Sequence, residues 1–118
     1  VNQLPAPAQT FLNTYFKDAK VALATQETEL FNKSYEVMFN TGDKVEFDKA
    51  GEWTEVRCRQ TGVPAQIVPA QIAEYVKTNY PDAIILQIER DSREWEVKLS
   101  NRWEITFDKQ MRVIDIDN

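Results

Sequence analysis

The spacing of apolar side chains switches twice along the chain, each time from a helical period to a strand period. Ala8, Phe11, Leu12, Tyr15 and Phe16 occupy the i, i+3, i+4, i+7 and i+8 positions of one helical face. Ile72, Tyr75, Val76 and Tyr80 repeat that stripe, with Asn79 as the departure from it. Each run opens on a proline, Pro5 or Pro69. A missing amide hydrogen costs nothing there, because the donors of a first helical turn are unpaired anyway. Pro81 ends the second helix, since it restricts the residue before it and cannot continue the backbone ladder.

After each helix the period becomes two. Residues 19–24 and 83–88 read as first strands. Tyr35, Val37 and Phe39 then oppose Glu36 and Met38, and Val45 and Phe47 oppose Lys44, Glu46 and Asp48. In the second half Trp95, Val97 and Leu99 oppose Glu94, Glu96 and Lys98, while Trp103, Ile105 and Phe107 oppose Arg102, Glu104 and Thr106. Short connections such as Thr41, Gly42, Asp43 and Ser100, Asn101 predict tight hairpins and antiparallel neighbours.

The halves also match residue by residue, a signal of internal duplication. Pro5 and Ala6 align with Pro69 and Ala70. Phe16 to Ala19 aligns with Tyr80 to Ala83, and Tyr35, Glu36, Val37 with Trp95, Glu96, Val97. Val45 to Lys49 aligns with Ile105 to Lys109. The expected fold is α+β: a tandem repeat of one helix followed by a four-stranded antiparallel sheet, with helices packed on one sheet face and the charged face open. Residues 1–61 form the first repeat and residues 62–118 the second, joined at Gly62, Val63 and Pro64, and together they make one compact domain. The pattern leaves open whether the strands form one sheet or two.

Composition narrows the chemistry. With 14 Lys and Arg against 19 Asp and Glu, the net charge of −5 argues against a nucleic-acid partner, whose phosphates need a cationic surface. It remains compatible with a basic protein patch, a cationic peptide or a divalent cation. Apolar stretches of a few residues fall far short of a membrane span. Cys58, the single cysteine, excludes an internal disulfide and reads as a small buried hydrophobe two residues after Val56. The chain opens on Val1 without an initiator Met or an apolar leader, so it is expected to be a processed or trimmed chain.

The duplicated unit, the Tyr80, Pro81, Asp82, Ala83 helix exit, and the Val45 to Asp48 strand followed by Gly51, Glu52, Trp53 resemble the PepSY-like, beta-lactamase-inhibitor-protein-like family (DUF2874 type). These are small exported proteins of Bacteroides and relatives. The resemblance spans nearly the whole chain. It implies a periplasmic or secreted location, tandem helix-plus-four-strand repeats, and binding or inhibition of another protein through the open sheet face. In the second copy Met111, Arg112 and Val113 replace Gly51, Glu52 and Trp53, so a site built on that tryptophan exists only once.

Catalysis lacks its usual parts. With no histidine, the neutral-pH general base, the Ser/His and Cys/His pairs, and most zinc and copper sites are missing. None of Ser34, Ser92 and Ser100 lies in a nucleophile elbow, and the three glycines form no phosphate cradle, so no cofactor is expected. Glu36, Glu46, Glu94, Glu96 and Glu104 offer a pair of carboxylates for a glycosidase-like reaction, but acids alternating along a strand read as a solvated sheet face.

The sequence therefore points to a non-catalytic binding protein whose partner is a protein or peptide. Its candidate site is Trp53 with Met38, Glu36, Glu46 and Glu55 around it. Two readings of Trp53 stand side by side. If Val56 and Cys58 face the core, strict alternation turns Trp53 outward as an interface anchor; a bulge near Gly51 instead buries it. The alternative function is a periplasmic small-ligand or calcium-responsive sensor, resting on Asp115, Asp117 and Asn118 and on the loop acids Asp43 and Asp48. The alternating acid and glycine pattern of a calcium loop is absent.

Overall fold

The computed structural model describes residues 4–29 and 32–118. Its elements run in the order α1 (Ala6–Tyr15), β1 (Val21–Glu29), β2 (Asn32–Phe39), β3 (Lys44–Phe47), β4 (Trp53–Arg57), a short 3-10 turn (Ala65–Ile67), α2 (Ala70–Asn79), β5 (Ile85–Arg90), β6 (Glu94–Leu99), β7 (Glu104–Asp108) and β8 (Val113–Asp117). The fold is α+β with two helices and one eight-stranded sheet ordered β1 to β8 in chain sequence. A separate four-stranded sheet for each repeat is thus replaced by one strand order. Pairs β1–β2, β2–β3, β5–β6, β6–β7 and β7–β8 are antiparallel. The chain divides into two compact units, Val1–Val56 and Arg57–Asn118.

In the first unit Pro5 caps α1 and Pro7 follows within its first turn, so proline φ values start the helix without a side-chain cap. The helix ends where the Phe16 amide donates to the Leu12 carbonyl at 2.9 Å. Ala8 and Leu12 are buried beneath it with Val37, Phe39, Val45 and Phe47. Phe11 meets Phe47 edge-on with ring centroids 5.7 Å apart, and Phe16 stacks on Phe39 at 5.0 Å. Burying each such apolar side chain contributes roughly 1.5–3 kcal/mol, which holds a ten-residue helix too short to persist alone.

The second unit is built the same way. Ile72 and Val76 of α2 are buried with Ile88, Val97, Leu99, Ile105 and Phe107. Tyr75 meets Phe107 edge-on at 5.5 Å, and Tyr80 lies 6.3 Å from Trp103. Asn79, the break in the apolar stripe, is exposed and donates its side-chain amide to the Tyr75 carbonyl at 2.9 Å. Cys58 is buried, and its backbone amide donates to the Leu86 carbonyl.

Candidate functional site

Alternation along β2 and β3 sets the face of the first unit that turns away from α1. Val37 pairs with Val45 and Tyr35 with Phe47 on the core side. Between them Glu36 pairs with Glu46 and Met38 with Lys44, and cross-strand partners share a face. These four side chains are half-buried. The Lys44 ammonium lies 3.2 Å from the Glu46 carboxylate and 3.0 Å from that of Glu55. Four of the five candidate residues, Met38, Glu36, Glu46 and Glu55, therefore gather on the open face, and Lys44 ties two of them together.

Electrostatics in this group are strained by its two acids. Burial, and then the neighbouring Glu55 carboxyl within hydrogen-bonding reach, raise the Glu46 carboxyl above its ordinary range; Lys44 opposes that rise without cancelling it. Burial pulls the Lys44 ammonium down, but its hydrogen bonds to Glu55 and Glu46 outweigh this and leave it raised. One lysine thus holds two carboxylates that would otherwise repel each other.

Trp53 does not join them. It is 9% exposed, and its ring lies 6.3 Å from Phe11 of α1. Along β4 Trp53 and Val56 are buried while Thr54 and Glu55 between them are half-buried, a spacing of three where alternation requires two. The side-chain parity slips within the strand, so the outward reading of Trp53 is corrected: the indole belongs to the core.

The sequence reading missed Leu23. β1 shifts register between Val21 and Leu23, and this places Leu23 opposite Met38. Leu23 is 57% exposed, so an apolar pair sits on the open face beside the Glu36, Glu46, Lys44 and Glu55 group. No local signal marks Leu23, because its face depends on a pairing with a strand that follows it in sequence.

Of the calcium candidates, Asp43 sits in the β2–β3 turn, where its backbone carbonyl accepts the Phe39 amide at 2.9 Å. Asp48 Oδ1 accepts hydrogen bonds from the amides of Ala50 (2.9 Å) and Glu52 (3.0 Å), which commits it to its own turn. Asp115 pairs with Thr106 and Asp117 with Glu104, so the two acids share a face on β8, both exposed. Asp117 Oδ1 also accepts from the Asn118 amide at 2.8 Å. Among the described residues no group of three or more His, Cys, Asp or Glu is arranged to hold a metal ion. No helix among them is long and apolar enough to cross a membrane.

Helix-backed antiparallel strands with a charged open face define a small α+β protein. Residues 33–115 match the family described as "Putative beta-lactamase-inhibitor-like, PepSY-like". The chain belongs to this PepSY-like family. Solved structures agree over almost its full length. A Bacteroides thetaiotaomicron protein described as a "putative calcium-regulated periplasmic protein" is 56% identical with a TM-score of 0.97, over 99% of this chain and 92% of that one. A Bacteroides vulgatus protein described as a "putative periplasmic protein from DUF2874 family" is 62% identical with a TM-score of 0.96, over 99% and 92%. A second B. vulgatus protein, described as a "putative periplasmic protein of unknown function", is 34% identical with a TM-score of 0.94, over 100% and 94%. No curated protein matches the chain.

Proposed function

We propose that this chain is a non-catalytic periplasmic binding protein that engages a protein or peptide partner through the open sheet face of its first unit. The observation that carries the reading is the Leu23–Met38 pair. A leucine more than half exposed, opposite a methionine and flanked by Glu36, Glu46, Lys44 and Glu55, forms an apolar centre with a charged rim. That is the anatomy of a protein interface, in which buried apolar anchors supply affinity and surrounding charges set specificity. The periplasmic location follows the three similar proteins, each named as periplasmic. Inhibition of an enzyme is one outcome of such binding, in keeping with the inhibitor-like family description.

Affinity capture from Bacteroides periplasmic extract tests this reading. Leu23→Asp and Met38→Asp should each lose a partner that wild type and Lys20→Ala retain. Retention by both aspartate variants would refute the face assignment.

A second reading, a calcium-responsive sensor, is favoured by the printed name of the B. thetaiotaomicron protein. A ligand that binds only the folded state raises stability by RT ln(1 + [L]/Kd), so calcium at about 100 times Kd should add ~2.7 kcal/mol. An unchanged Tm in millimolar calcium eliminates it.

A further inference from the structure

The strand order ends at β8, so among the described residues no strand pairs with its outer edge. Such an edge presents backbone N–H and C=O groups as a template for another strand, and proteins usually blunt it with lysine, proline or a bulge that twists it away. β8 has neither lysine nor proline. Its bulge falls at the start: Phe107 pairs with Val113 and Thr106 with Asp115, leaving Ile114 as the extra residue, 54% exposed. Beyond it the register is regular, with Ile105 opposite Ile116 and Glu104 opposite Asp117. Ile116 is 45% exposed on the core side of the sheet, and Asp115 and Asp117 line the other side together with Glu104.

We propose that the free edge of β8 accepts an extended peptide of alternating basic and apolar residues as an added strand. Lysine or arginine side chains lie beside Asp115 and Asp117, and an apolar side chain covers Ile116. Main-chain hydrogen bonds supply affinity in this mode, and alternate side chains supply selectivity. Charge complementarity identifies the occupant. β1, at the other end of the strand order, contains Glu27, and β8 contains Asp115 and Asp117; neither strand contains Lys or Arg. Pairing the edges of two copies would oppose like charges, which destabilises an antiparallel pair, so the partner strand is cationic and foreign. This surface is separate from the Leu23–Met38 face, and its test does not depend on that face.

The test is titration of the full chain, labelled with ¹⁵N, with a capped nine-residue peptide of alternating Lys and Val, against the same peptide with Glu in place of Lys. The basic peptide should bind about tenfold tighter or better, slow amide exchange at residues 113–117, and leave β1 amides unchanged. The paired substitution Asp115→Lys, Asp117→Lys, at two exposed positions, should reverse the preference. N-methylation of alternate peptide residues, which removes edge hydrogen bonds and keeps the charge, should abolish binding without any change to the protein. Perturbation confined to the Glu36, Glu46 and Glu55 face, binding indifferent to N-methylation, or self-association of the chain that the peptide does not compete with would each overturn the proposal.

Discussion

The turns that follow β3 and β7 begin alike and finish differently. In the first, Asp48 Oδ1 accepts the amides of Ala50 and Glu52; in the second, Asp108 Oδ1 accepts those of Gln110 and Arg112, both at 2.9 Å. The fourth residue of each turn has positive φ: Gly51 at +88° and Met111 at +66°. At Gly51 the helix leaves no alternative, since a Cβ there would lie 2.7 Å from Pro5 Cβ and 3.1 Å from the Ala8 amide nitrogen. At Met111 there is room, and its side chain lines a shallow cleft with Ala70, Gln71, Glu74, Tyr75 and Thr78. An aspartate is enough to make the turn; the glycine is there for the helix. The close approach of α1 in the first unit accompanies Trp53, whose aligned position in the second unit is Val113.

The largest effect that sharpens this contrast is Trp53→Ala. Removing a buried indole should cost about 3–5 kcal/mol, against about 1 kcal/mol for the half-buried Val113→Ala, read from denaturant midpoints. Equal losses would mean that the tryptophan is peripheral. Next, Gly51→Ala should cost about 2–4 kcal/mol, through strained φ and overlap with Pro5. Met111→Gly should stay within about 1 kcal/mol of wild type, because relief at positive φ is offset by lost packing and a freer unfolded chain.

A smaller effect comes from pH. The amide of Arg112, its guanidinium and the Gln110 amide hold the Asp108 carboxyl below its usual range, and the Arg93 and Glu94 amides do the same for Asp91. A carboxyl whose folded pKa is depressed contributes stability above its unfolded value, near 4, and loses it as pH falls through the folded one. Asp108→Asn, which keeps an acceptor oxygen without the charge, should therefore show a shallower fall of Tm below about pH 4 than wild type.

The smallest effect has the opposite sign. Glu46 aligns with Thr106, so the crowded carboxyl pair belongs to the first unit alone. Because its folded pKa is raised, Glu46 favours folding more below its unfolded pKa and loses that contribution as pH rises through the folded value. Glu46→Gln should leave Tm at pH 7 unchanged or slightly higher and flatten its rise on mild acidification. A clear fall in Tm at pH 7 would show instead that the Lys44–Glu46 ion pair stabilises the fold.

Much of this was legible in the sequence because it depends on local period. The stripes Ala8, Phe11, Leu12 and Ile72, Tyr75, Val76 predict helices over the observed spans, and the alternation of Val37, Val45 and Phe47 fixes the faces of β2 and β3. Lys44 also carried a signal, since it shares parity with Glu46. Two features lay beyond local reading. The burial of Trp53 is one of two readings, through a bulge near Gly51, and alternation alone cannot choose between them. Leu23 reaches the open face only through a register shift against β2, a property of two strands together.

The choice at Trp53 separates core from interface, and one comparison tests it. Capture of the proposed partner from periplasmic extract by Leu23→Asp is measured beside Trp53→Ala, under conditions where both remain folded. Leu23→Asp should keep its Tm and lose the partner, while Trp53→Ala should lose Tm and keep the partner. Full capture by Leu23→Asp with specific loss in folded Trp53→Ala would contradict it.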